Sequence, residues 1–124
     1  MLRIRSEQMH CFEVEAAVQF RDWLKEDIRR NMPDHYAALG ETGVREAIDL
    51  GIARAATHGL VSPDGVTLFV RMMFLFGAEF DADPNLPWAA ETLGDSADLP
   101  EPARVAALQS ASIEYLRELD RNPL

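Results

Sequence analysis

The sequence predicts a single all-α domain over residues 1–124, a compact bundle of about six helices with a long first helix and an apolar central helix near residues 63–76. Three observations lead there. Apolar residues recur at steps of three and four over most of the chain, the spacing that gathers them on one face of a helix. Gly, Pro and Ser fall at the junctions between these stretches, where helices start and stop. No segment of any length shows the period-two alternation of a half-buried strand.

The first helix is expected from Ser6 to Arg30. Met9, Phe12, Ala16, Phe20, Trp23 with Leu24, and Ile28 form its stripe. Ser6 suits the N-cap, Glu7 the positive end of the helix dipole, and Arg29 and Arg30 the negative end. Pro33 opens a short second helix that closes at Gly40. A third runs from Thr42 or Gly43 to His58, with Val44, Ala47, Ile48, Ile52, Ala55 and Ala56 inward. Gly59 is placed to take the left-handed conformation that stops it.

Ser62-Pro63-Asp64 then reads as N-cap, first helical residue and dipole-matched acid. The fourth helix lasts to Phe76, with Gly77 as its terminator. Nine of the eleven residues from Val66 to Phe76 are apolar, and a helix apolar all round must be covered on every side. A loop, Phe80 to Leu86, leads to a short fifth helix from Pro87 to Leu93, ended by Gly94. A linker, Asp95 to Pro100, precedes the last helix, Pro102 to about Asp120, whose stripe is Val105, Leu108, Ser112, Tyr115 with Leu116, and Leu119.

Length and composition fit this architecture. A chain of 124 residues suits one domain and can bury one core without staples. With Cys11 alone, no internal disulfide can form, which favours a reducing compartment. The polar opening carries no secretory signal core. The longest apolar stretch, interrupted by Arg71, falls far short of the ~20 residues that span a bilayer. A cytoplasmic protein without membrane insertion is the expectation.

The formal charge of −9 is uneven. Residues 1–30 hold six basic and six acidic side chains, and residues 31–124 hold six against fifteen. From Gly77 to Ala103 there are seven carboxylates and no Lys or Arg. Such a surface repels phosphate backbones and argues against nucleic acid as a partner. It either serves to keep the protein in solution or favours a basic protein partner, chiefly through the association rate. Glu79, Phe80, Asp81, Asp83, Trp88 and Glu91 are the candidate partner-binding residues. Within the loop, Asp83 and Asn85 are expected to hold nearby backbone N–H groups, while Phe80 and Trp88 anchor its ends.

Constellations for chemistry are incomplete. Glu7-Gln8-Met9-His10 matches the Glu-x-x-His of di-iron bundles, but no second copy follows, since Met32 and Ala55 precede His35 and His58 by three. Cys11 and His10 are helical neighbours about 100° apart and cannot form a nucleophile–base pair. Asp81-Ala82-Asp83-Pro84-Asn85 imitates the start of a calcium loop, yet Leu86 stands where Gly is needed and Thr92 where a bidentate Glu is needed. The third and fourth helices mimic a helix-turn-helix, but the second would offer Leu, Phe, Val, Met and a lone Arg71 to the groove. The expectation is a non-enzymatic protein with no cofactor, metal or catalytic residues.

Two segments carry a resemblance: Gly51-Ile52-Ala53-Arg54-Ala55-Ala56-Thr57-His58-Gly59-Leu60, and Phe69 to Leu93 with its Met72-Met73-Phe74-Leu75-Phe76-Gly77-Ala78-Glu79-Phe80-Asp81-Ala82-Asp83-Pro84 and Pro87-Trp88-Ala89. Together with the opening Ile4-Arg5-Ser6-Glu7-Gln8-Met9, they resemble small all-helical bacterial proteins found alongside type VI secretion effectors and their adaptor chaperones. The resemblance implies an adaptor or co-chaperone role and names no functional residue. The alternative is an immunity protein that neutralises a cognate toxin by direct binding. A homodimer is also open, as a way to hide any apolar face left on the fourth helix.

Overall fold

A computed structural model describes residues 6–121, with side chains from Ala17 onward. The expected N-cap Ser6, the stripe positions Met9, Phe12 and Ala16, and the pair His10 and Cys11 lie outside the described side chains, as does the opening Ile4-Arg5. Five helices and no strand occur among the described residues: α1 (Ser6–Asn31), α2 (Pro33–Thr57), α3 (Pro63–Phe76), α4 (Pro87–Asp95) and α5 (Glu101–Arg121). None is long and apolar enough to cross a membrane.

The expected count of about six is corrected to five. The second and third expected helices are one element, α2, bent at Gly40, whose φ of 73° and ψ of 169° are not helical. Gly tolerates this left-handed φ because it has no Cβ. Helix resumes at once on the far side, so the expected interruption stands at Gly40 as a kink between two helical stretches that count as one element.

The chain divides into two compact units, Met1–Asp49 and Leu50–Leu124, with the boundary inside α2. In the first, Leu24 and Ile28 of α1 and Val44 and Ile48 of α2 are buried, each pair four residues apart on one face. Ion pairs join the two helices at the surface. Arg21 Nε lies 2.7 Å from Asp49 and Lys25 Nζ 3.1 Å from Glu41.

The second unit is built on α3. Ser62 caps it as the sequence predicts, its Oγ accepting the Gly65 N–H at 3.1 Å, and Pro63 sits just inside the start. Val66, Phe69, Val70, Met72, Met73 and Phe74 are all buried, while Leu75 is 55% exposed. Each fully buried side chain of this size contributes roughly 2–3 kcal/mol of transfer free energy. The C-terminal part of α2 approaches α3 closely. A Cβ on Gly51 would stand 2.7 Å from Val70 Cγ2, so only Gly allows this separation without a shift. The last helix, α5, packs on both α3 and α4.

Both stops that flank α3 have a physical cause. Gly59, at φ 75°, ends α2 with its N–H on Ala56 O at 3.0 Å, and Leu60 N–H reaches Ala55 O at 2.9 Å. This double bond pattern satisfies carbonyls that would otherwise be orphaned, and Leu60 is fully buried beside it. Gly77, at φ 114°, ends α3 with its N–H on Met73 O.

Gly94 does not end α4, contrary to the sequence reading. The helix runs to Asp95, and Ser96 closes it by donating its Oγ–H and N–H to Thr92 O at 2.7 and 3.0 Å. A side chain that can bond back to its own last turn thus displaces the helix end past the glycine.

Candidate functional site: an acidic loop pinned from inside

The loop between α3 and α4 carries most of the candidate residues, and its turns fold it tightly. Phe80 N–H bonds Gly77 O at 3.1 Å, Ala82 N–H bonds Glu79 O at 2.9 Å, and Leu86 N–H bonds Asp83 O at 3.0 Å. Asp83 Oδ1 accepts the Asn85 N–H at 2.9 Å, as expected for an Asp two residues ahead of an amide.

The six candidate partner-binding residues separate into two groups. Phe80 and Asp81 are buried, at 0% and 7% exposure, so Phe80 offers no surface and Asp81 only an edge at a neighbouring cleft. Glu79 and Glu91 are exposed, and Asp83 and Trp88 are half-buried. Phe80 anchors its end of the loop, tilted against Phe69 with ring centroids 4.9 Å apart. Trp88 anchors the other end against Phe76 at 5.3 Å and Tyr115 at 5.4 Å. Phe76 and Tyr115 lie 5.8 Å apart, which closes the triangle. The Trp88 Nε1 is buried there without a hydrogen-bond partner.

Asp81 is the polar centre of the inner group. Its Oδ1 accepts from Arg54 Nη2, and its Oδ2 lies 2.8 Å from His58 Nε2. Burial works to raise the Asp81 pKa. The hydrogen bonds from His58 and Arg54, with the guanidinium charge, outweigh it and hold the carboxyl below its ordinary value. An ionised carboxylate only accepts, so His58 Nε2 carries the proton it donates. His58 also leans on Phe69, with centroids 5.8 Å apart. These bonds fasten the loop to the end of α2.

An open cleft of about 460 Å³ lies beside this centre, lined by Thr57, His58, Asp81, Leu93 and Arg104 among others. Arg104 is already occupied, donating Nη1 to His58 O at 3.0 Å and Nε to Leu99 O at 2.9 Å. Nearby, Glu101 accepts the N–H groups of Val61 at 3.1 Å and Ser62 at 2.8 Å. Hydrogen bonding from Ser62, joined by the Val61 amide and the Arg104 charge, holds its carboxyl below the usual range. Among the described residues no three of His, Cys, Asp and Glu converge on a point that would hold a metal ion.

Sequence reasoning missed Arg54, His58 and Arg104, whose bonds to Asp81 and His58 O span 23 to 46 residues. It also missed Phe76 and Tyr115 as partners of Trp88. The available signal was chemical: an acid flanked by apolar Phe80 and Ala82 needs a cation if it turns inward. Comparison with protein-family models, with curated proteins and with solved structures finds no match to this chain.

Proposed function

We propose that the chain is a non-enzymatic protein-binding accessory, an adaptor or co-chaperone for a type VI secretion effector or for that effector's own adaptor. The secretion context comes from the sequence resemblance. The binding role is supported by one structural observation. The acidic segment 77–103 is pinned from inside by Phe80, Asp81 and Leu86, while Glu79, Glu91, Asp95 and Asp98 stand exposed and form no ion pair among the described residues. Charge held in a fixed arrangement and not spent on internal partners is free to steer and orient a basic protein.

Co-expression with the products of neighbouring genes tests the reading. The expected result is a complex that survives size-exclusion chromatography and weakens as salt is raised. Elution of the chain alone from every such mixture overturns it. The same acidic display favours a second reading, an immunity protein covering the basic groove of a toxin. Rescue of growth in cells making the toxin separates the two, because an adaptor gives no protection.

A further inference from the structure

We propose that the apolar seam where α3, α4 and α5 meet is a docking face for a basic amphipathic helix of a partner protein. The proposal rests on the protein-binding reading and names the chemistry of its partner. The inward stripe of α5 outlasts its covering. Leu108 is 0% exposed and Ser112 8%, Tyr115 is half-buried, and Leu119 is 44% exposed although it continues the same line. Leu116, beside that line, is also 44% exposed. The stripe therefore runs out from the core through Tyr115, which also belongs to the Phe76–Trp88–Tyr115 triangle of half-buried residues. Rings packed against one another on three partly exposed residues form a rigid apolar cluster, the kind of surface that anchors a partner side chain at little entropic cost.

Charge says what lies on it. Each aromatic residue is followed three positions later by an exposed glutamate: Phe76 by Glu79, Trp88 by Glu91 and Tyr115 by Glu118. On α4 and α5 that step places the acid one turn along on the same flank. None of the three glutamates forms an ion pair among the described residues. Of the basic residues of this part of α5, Arg117 is turned to the side opposite Tyr115 by the helical repeat, while Arg121, the last residue of the helix, follows Glu118 by three positions and pairs with no acid among the described residues. An apolar platform edged by unspent carboxylates complements a helix with an apolar stripe flanked by Lys and Arg. A second copy of this chain would bring the same carboxylates against each other, so it is the poorer occupant.

The test uses the full chain and a fluorescein-labelled peptide helix about five turns long, with a Leu stripe flanked by Lys. Fluorescence anisotropy is expected to show binding. The combined change Glu79→Gln, Glu91→Gln and Glu118→Gln should weaken it by about tenfold. The pair Leu116→Ser and Leu119→Ser, at exposed positions that the fold does not need, should weaken it comparably. Asp22→Asn, Asp34→Asn and Glu46→Gln together, equal in charge change but remote in sequence, should leave it unchanged. Three results would overturn the proposal: equal binding of a peptide of the same composition with its stripe scrambled, equal weakening by both acid-neutralising triples, or a homodimer by light scattering that the Leu pair abolishes. A natural partner retained by the Leu116→Ser, Leu119→Ser protein would sink this face and leave the accessory role standing. Absence of any natural partner would sink that role, and the peptide titration would still decide the face.

Discussion

At the residue scale the protein turns on a few side chains whose neighbours are fixed at short range. Asp81 is held ionised by His58 and Arg54, so Asp81→Asn should cost about 2–3 kcal/mol. That is less than a fully buried pair would, because the Arg54 side chain is 26% exposed and can turn to water. Urea denaturation checks it. Because the folded pKa is depressed, the Asp81 contribution is complete above its unfolded value, about 3.9. It is lost as pH falls through the lower folded value, where both states hold the proton. The Asp81→Asn protein should therefore lack that share of the acid limb. Glycines give a second contrast. Gly94 is helical and a Cβ there meets nothing within 4 Å, so Gly94→Ala should stabilise by about 0.4–1 kcal/mol. At Gly59, φ is 75° and a Cβ would collide with Arg104 Nη1. Gly59→Ala should destabilise by about 2–3 kcal/mol, through left-handed strain and loss of the Arg104 bond to His58 O. Thermal denaturation of the two variants should move in opposite directions.

At the scale of elements, α3 is where local signals and the final structure agree best. Its bounds, its Ser62 cap, the left-handed Gly59 before it and the Gly77 after it are all legible, because each depends on residues within a turn or two. Ser62→Ala should cost about 1 kcal/mol, seen as a lower urea midpoint with an unchanged slope. The bend at Gly40 is legible as an interruption but not as a continuation, since propensity marks where helix falters and not whether it resumes. The stop at Gly94 misleads because Ser96 supplies a competing bond to Thr92 O that glycine statistics ignore. For the candidate site, the loop anchors Phe80 and Trp88 and the Asp83 turn are readable locally. The inward turn of Asp81 is not, because its partners arrive from α2 and its end, 23 and 27 residues earlier. The extension of the α5 stripe to Leu119 is visible as periodicity. Its exposure at Leu119, 44%, is not.

At the scale of the whole molecule, the chain forms two compact units with unequal means of satisfying charge. In the unit Met1–Asp49, ion pairs such as Arg21–Asp49 and Lys25–Glu41 match part of the surface charge, while Asp22, Asp34 and Glu46 are left to the solvent. In the unit Leu50–Leu124, Arg54 and His58 both spend themselves on Asp81, and the carboxylates at 79, 91, 95 and 98 are left to the solvent. The larger share of the acidic surplus therefore falls in the second unit, although the first is net acidic as well. The two tryptophans also divide between the units, Trp23 in the first and Trp88 in the second. Trp23 is 53% exposed and stacks on Phe20, whereas Trp88 is enclosed by two rings with its indole nitrogen buried. Their optical environments must differ. Trp23→Phe protein should emit at shorter wavelength than Trp88→Phe protein, and identical emission maxima would contradict the enclosure of Trp88. The chain thus contains two native lamps of different colour, one for each half, and either half can be watched through heating or titration without attaching a dye.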